Sequence, residues 1–256
     1  MAGHLAEEVL WASTDFDGAE RAPMRNTEAR VSLGVIAARP LQGESPGHHG
    51  RCLRLCHDAG VPTHVALLRG VNNLGGKKVA MTELRELVTS LGHADVMTYI
   101  QSGNVLFAPP PARGGMGGGA DVAVLAAELE QAIAIGLGVR ARAVVFSCEE
   151  LARCVRDNPY PGQTDPKRLH AVFLPEAPGS SLAAWIAGAE RQVRAKGSRD
   201  EALVRGRTVY LHTPDGYPRS ELRRVLARTG GPTSARLAGT ARNWATVSRL
   251  LVLCGP

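Results

Sequence analysis

Asp95-Val-Met-Thr-Tyr-Ile-Gln-Ser-Gly-Asn-Val-Leu-Phe107 reads as two extended runs, Asp95 to Ile100 and Asn104 to Phe107. They are hinged at Gln101-Ser102-Gly103, a tight-turn signal between β-formers, so the stretch is a hairpin. Just upstream, Thr82-Glu-Leu-Arg-Glu-Leu-Val-Thr-Ser-Leu-Gly92 sets Leu84, Leu87, Val88 and Leu91 at helical spacing. Glu83 suits the first turn of that helix, and Gly92 is a natural stop. Earlier still, His64-Val-Ala-Leu-Leu-Arg69 is a nearly continuous apolar run, as in a strand buried on both faces. Downstream, Pro109 to Gly119 is a Pro- and Gly-rich insertion, read as a mobile loop. Asp121 then caps a helix with the stripe Val122, Leu125, Leu129 and Ile133. Arg140 to Phe146 is a fourth strand, and Cys148 to Val155 is a helical exit. The order β-α-β-β-α-β is the split β-α-β unit, or α/β plait.

A second unit follows the turn-rich linker Asn158-Pro-Tyr-Pro-Gly162. Arg168 to Leu174 is a strand, and Leu182, Trp185, Ile186 and Ala189 make a helical stripe. Ala202 to Arg205 and Thr208 to Leu211 flank Gly206 as a second hairpin. Ser220 to Arg228 is an amphipathic helix with Leu222, Val225 and Leu226 on one side. Thr240 to Leu251 is read as a helix standing where a plait has its fourth strand, with Trp244, Val247 and Leu251 on one face. The expected architecture is α+β: two tandem plait units, each an antiparallel sheet with helices on one face. The first covers 61–157, and the second, plait-like with a C-terminal helix, covers 165–256. No residue-by-residue repeat is visible between them.

Residues 1–60 read differently. They lack a sustained period of 3.6 or 2, and turn-formers cluster at Pro40, Gly43, Pro46, Gly47 and Gly50. They carry 6 Arg against 8 Asp+Glu, whereas residues 61–256 carry 24 Lys+Arg against 16 Asp+Glu. The expectation is a disordered leader, or upstream sequence translated from a mis-assigned start, because Val61 just precedes the first convincing strand. His48, His49, Cys52, Cys56 and His57 offer soft ligands close together. Their spacing matches no common zinc finger, so no metal site is assigned.

The 256 residues are 44% hydrophobic and 21% charged, which excludes collagen, a coiled coil and a largely disordered chain. No apolar run reaches the ~18–20 residues of a membrane span, and no secretory signal is evident. A cytoplasmic location is expected. Five scattered cysteines, an odd count, favour free thiols over a disulfide framework. The formal net charge of +6 points only faintly to an anionic partner.

The strand-loop-helix from Arg69 to Lys78 is the best candidate for chemistry. Gly75 and Gly76 permit exposed backbone N–H groups, and Arg69, Lys77 and Lys78 add positive charge, a combination that suits phosphate or carboxylate. It is not a Walker loop. Aligned on Gly76-Lys77, the first glycine position holds Val71 and the hydroxyl position holds Lys78. Gln101, Ser102 and Asn104 form a second polar cluster, but a plait can place this hairpin at the other end of the sheet from the first loop. A C-terminal run of arginines (223, 224, 228, 236, 242 and 249) could contact nucleic-acid phosphates. However, aromatics are only 4% of residues, and the basic-glycine-aromatic pattern of base-stacking plaits is missing. No nucleophile constellation stands out, and no cofactor is indicated. Cys148 and Cys154, six apart on a helix, do not make a redox pair.

Val65-Ala-Leu-Leu-Arg-Gly-Val-Asn72 resembles the opening of a bacterial family catalogued as domain of unknown function 1697. So do Gly75-Gly-Lys-Lys-Val-Ala-Met81, Glu83-Leu-Arg85 and Thr98-Tyr-Ile-Gln-Ser-Gly-Asn-Val105. Thr240-Ala-Arg-Asn-Trp-Ala-Thr-Val247 resembles that family's closing Thr-Arg-Asn-Trp signature, so the likeness spans roughly 61–256. It implies two ferredoxin-like units and no established activity. Two positions depart from the family pattern. Asn72-Asn-Leu-Gly-Gly76 places its glycines one residue later than usual, and Ala80 stands where the family commonly has proline.

The sequence therefore predicts a protein that binds a small anionic or nucleotide-like ligand. Arg69, Asn72, Gly75, Gly76, Lys77 and Lys78 would form its first lobe. Gln101, Ser102, Asn104, Arg242, Asn243 and Trp244 would join if the fold gathers them. The alternatives are a nucleic-acid-binding module with an arginine-rich face, and a structural protein that self-associates through an exposed apolar sheet face.

Overall fold

The computed structural model describes residues 60–72, 78–111, 121–227 and 239–255. In chain order the first half is β1 (His64–Arg69), α1 (Met81–Ser90), β2 (Ala94–Tyr99), β3 (Asn104–Ala108), α2 (Val122–Leu137), β4 (Arg142–Ser147) and α3 (Cys148–Arg156). The second half repeats that order as β5 (Leu169–Phe173), α4 (Ser180–Arg194), β6 (Glu201–Arg205), β7 (Thr208–His212), α5 (Glu221–Ala227), β8 (Thr240–Asn243) and α6 (Trp244–Leu253). Each half contributes one four-stranded sheet, ordered β2-β3-β1-β4 and β6-β7-β5-β8, with every neighbouring pair antiparallel. The fold is α+β, with two ferredoxin-like units in tandem. The described residues belong to one compact unit. Residues 1–59, which include the His and Cys cluster, and most of the Pro/Gly insertion lie outside the described residues.

One element differs from the sequence reading. Thr240 to Asn243 is not helical; it is the fourth strand of the second sheet, paired with β5 from Phe173↔Thr240 to His170↔Asn243. The reason is a cap. The Asn243 side chain accepts a hydrogen bond from the backbone N–H of Thr246 and so begins the helix at Trp244. The residues before the cap are left extended. Ser147 does the same for α3 through a capping box with Glu150.

The continuous apolar run of β1 reflects burial on both faces. Ala66 and Leu68 pack with Leu84, Val88, Leu125, Leu129 and Ile133 beneath α1 and α2. Val65 and Leu67 face the second sheet and pack in one cluster with Phe146, Ala171, Phe173 and Tyr210. The trailing helices α3 and α6 add Leu151, Cys154, Val247 and Leu250 to this middle layer. A third cluster lies between the second sheet and α4 and α5, around Val172, Ile186, Val209 and Leu222. The helix-free sheet faces thus cover each other within one chain. The apolar face that sheet-mediated self-association requires is already used.

The cysteines also depart from expectation. Cys148, the first residue of α3, is disulfide-bonded to Cys254, the C-cap of α6, with 5.7 Å between their Cα atoms. Residues 106 apart in sequence meet because the two trailing helices share the middle layer. Cys154 is a buried free thiol.

Candidate functional site

β1 and β2 are linked by the crossover helix α1 and run parallel, so the end of β1 and the β2–β3 turn fall at the same end of the first sheet. The polar motifs read as two separate clusters therefore meet. Asn72, at φ 58°, donates from Nδ2 to the carbonyls of Val79 (3.1 Å) and Gln101 (3.0 Å). Its Oδ1 accepts the Val79 N–H at 2.7 Å. Leu68 N–H donates to the Gly103 carbonyl at 2.7 Å. Gly103 sits at φ +76°, and a Cβ there would lie 2.8 Å from Leu68 Cβ, so this approach requires glycine.

Arg242 comes to the same place from the other sheet. On β8 it pairs with Ala171, which puts its side chain on the inter-sheet face. Its Nε donates to Asn104 Oδ1 at 2.6 Å. One terminal nitrogen reaches Thr240 Oγ1 (2.6 Å) and the Ala241 carbonyl (2.9 Å). The other reaches the carbonyls of Leu68 (2.9 Å), Ser102 (3.1 Å) and Gly103 (3.3 Å). Every acceptor is neutral. Burial without a counter-charge lowers its pKa to about 10, so at neutral pH it remains a full cation. Asn104 is held in turn, donating to the Tyr99 carbonyl and to Ser102 Oγ, each at 3.0 Å.

Arg69 stands beside this network in a different condition. It continues the inward row Val65-Leu67 to the strand end, opposite Arg142 on β4. Directly opposed like charges repel. Arg142 is answered by Glu130 at 2.9 Å. Among the described residues no carboxylate pairs with Arg69; its guanidinium makes one long bond, 3.4 Å, to the Gly239 carbonyl. Burial, then the field of Arg142, lowers its pKa, with Glu130 opposing. The chain departs from this spot twice, after Asn72 and before Gly239. The sequence between described residues there, 73–77 and 228–238, contains no aspartate or glutamate but includes Lys77, Arg228 and Arg236.

Of the predicted site residues, Arg69, Asn72, Ser102, Asn104 and Arg242 are brought together. Lys78 joins them, its Nζ 3.3 Å from the Asn72 carbonyl. Gln101 contributes its backbone carbonyl, and its side chain is exposed. Asn243 is committed to capping α6, and Trp244 packs at the edge of the middle layer, its ring 6.1 Å from Tyr210. Gly75, Gly76 and Lys77 lie outside the described residues. Of the C-terminal arginines, Arg228 and Arg236 lie outside the described residues. Arg242 is interior, Arg224 pairs with Glu221, and Arg223 lies over the Tyr217 ring.

Sequence reasoning missed a second inter-sheet arginine. Arg207 lies 3.6 Å over the Phe146 ring and donates to the Val145 carbonyl (2.8 Å) and to Glu150 (2.9 Å). Nothing local marks it, because its partners are set by sheet docking. Tyr210 on β7 is likewise set by the docking, its hydroxyl donating to the Cys154 carbonyl at 2.6 Å. Among the described residues no three His, Cys, Asp or Glu side chains gather as a metal site, and no helix is long and apolar enough to cross a membrane.

These features define an α+β protein of two ferredoxin-like units docked sheet to sheet, with a polar seam end rich in cations. The family described as protein of unknown function (DUF1697) matches residues 61–210, more than half the chain, and the chain belongs to it. The match ends at Tyr210, so the closing motif around Arg242 lies beyond it. The fold is similar to that of a conserved bacterial protein, SP0830 from Streptococcus pneumoniae, with a TM-score of 0.55 and 21% identity. That likeness covers 77% of this chain and all of the other. Among curated proteins none matches.

Proposed function

We propose that this chain is a cytosolic protein that binds a small anionic, nucleotide-like ligand at the seam end, with Arg69 as the principal charged contact. One observation carries the reading: Arg69 is half-buried, opposed by Arg142, and lacks a carboxylate partner among the described residues. An anion placed there relieves the repulsion and takes up donors that no acid on the neighbouring stretches can satisfy. Arg242 and Asn104 act behind it as positioning residues, since their polar groups are spent on holding the hairpin against β1. Lys78 and the exposed Gln101 side chain supply the rim.

Thermal-shift measurements on the full chain test this, using inorganic pyrophosphate, ADP, a phosphosugar and a short single-stranded oligonucleotide as probes. Ligand at about 100 times its Kd adds ~2.7 kcal/mol, a rise of several °C for a domain this size. The expected result is a shift with at least one small phosphate compound that disappears in Arg69→Gln. An equal shift in Arg69→Gln, or none with any small anion, refutes the proposal. A shift with the oligonucleotide alone, falling steeply with salt, points instead to nucleic acid.

A further inference from the structure

The opposite end of the first sheet carries an open cavity of about 720 Å³. His64 at the start of β1, Asp121 at the cap of α2, and Glu149 and Glu150 in the first turn of α3 line it beside Cys148 and Cys254. Among the described residues no lysine or arginine lines it. In a chain of formal charge +6 this is a local reversal of sign. Glu150 is answered by Arg207 at 2.9 Å. Among the described residues Glu149 has only the exposed Arg153 at 3.6 Å, and the Asp121 carboxylate accepts just the backbone N–H of Ala123. The wall keeps a net negative potential.

The two sulfurs in that wall are unequal. Cys148 is half-exposed and Cys254 is buried. Cys148 begins α3 and Cys254 closes α6, so the bond ties the start of one trailing helix to the end of the other.

We propose that the Cys148–Cys254 bond is a thiol-exchange site, entered through this cavity and selective for small thiols that carry a positive charge. The incoming thiolate attacks Sγ of Cys148, the less buried of the two residues. The bond to Cys254 breaks, and the Cys254 thiolate takes a proton from water. This leaves a mixed disulfide between Cys148 and the small thiol. A second thiolate attacks the outer sulfur of that adduct and releases the Cys148 thiolate, which takes a proton from water. The balance is one protein disulfide and two thiols giving two protein thiols and one small disulfide. The reaction frees the last turn of α6. It does not depend on anion binding at the other end of the sheet.

The test uses the full chain, purified without reductant. Peptide mapping under non-reducing conditions is expected to recover Cys148 joined to Cys254. Reduction is then followed with cysteamine and with 3-mercaptopropionate, each rate normalised to a small uncharged reference disulfide. A charge difference of two units near one or two carboxylates predicts about a tenfold preference for cysteamine at low salt, shrinking as salt is added. In Asp121→Asn/Glu149→Gln the preference is expected to fall to about twofold, and quenched reactions should show the cysteamine adduct on Cys148. Recovery of both cysteines as free thiols, equal normalised rates for the two reagents, or an adduct on Cys254 overturns the proposal.

Discussion

Replacing Arg242 by methionine removes the guanidinium and keeps most of the side chain's volume. The acceptors Leu68 O, Ser102 O and Asn104 Oδ1 then lose the donor that reaches them from the second sheet. A buried acceptor without a partner costs roughly 1–3 kcal/mol. Three at the low end of that range give about 3 kcal/mol. Truncation to alanine adds the lost packing of the aliphatic stem, at ~0.8 kcal/mol per methylene. Set against this, the variants no longer bury a cation without a counter-charge, so the net loss for methionine is about 1–3 kcal/mol. With a urea m-value of ~2 kcal/mol/M, the unfolding midpoint falls by roughly 0.5–1.5 M. Circular dichroism and tryptophan fluorescence should record the same midpoint. A double-mutant cycle with Asn104→Ala should give a coupling of at least about 1 kcal/mol, because the two side chains are bonded directly. If Arg242→Met unfolds within about 0.3 M of the parent, the seam is held by its apolar layer alone and the role assigned to Arg242 is wrong.

Gly103→Ala forces an L side chain into φ +76° and to within 2.8 Å of Leu68 Cβ. It should cost about 2–4 kcal/mol in the same urea assay, and a loss below ~1 kcal/mol would show that the hairpin moves away without penalty. Tyr210→Phe leaves the Cys154 carbonyl without its 2.6 Å donor and should cost about 1–2 kcal/mol, with Cys154 remaining unreactive to alkylation in the folded protein. His93 is buried against Phe107, and burial outweighs Glu128 to hold its pKa below the ordinary 6.5; His64 shifts the same way. The unfolded chain therefore binds protons that the native state refuses, and stability must fall as pH drops below about 6.5. Thermal midpoints between about pH 7 and pH 5.5 should decline, less steeply in His93→Phe. A level or rising profile contradicts the assignment.

What was legible in the sequence is what depends on local period and on caps. The first sheet's strands and helices follow from apolar spacing, and the double-sided run His64–Arg69 already implied burial on both faces. The misread element was Thr240–Asn243, where an apolar helical stripe was extended back through a residue whose side chain starts the helix. That Arg69 and the Gln101–Asn104 turn share one end was derivable, since a strand, a crossover helix and a second strand put both exits on the same edge. The Arg242 network, the Arg207–Phe146 stack and the Cys148–Cys254 bond were not derivable. Each joins the two halves, and its partner is chosen by how the sheets dock, which no local pattern encodes.

The docking itself follows a pseudo-twofold relation that the strand registers make explicit. Ser147 caps α3 and pairs with His64; Asn243 caps α6 and pairs with His170. Leu67 pairs with Asn104 as Phe173 pairs with Thr208. On this correspondence Phe146 is the counterpart of Arg242, and Gly103 is the counterpart of Arg207. The two related contacts across the seam are then Arg242 on the Gly103 hairpin and Arg207 on Phe146. Each holds one arginine, supplied by the strand in one case and by the hairpin in the other. The charge that answers them is not duplicated. Arg207 has Glu150, and the corresponding residue three places after the cap of α6 is Thr246, which carries none. One end of the seam is therefore neutralised internally. The other keeps Arg242 without a carboxylate partner among the described residues and Arg69 close by. This asymmetry, rather than the net charge of the chain, is why an anion should be sought at that end.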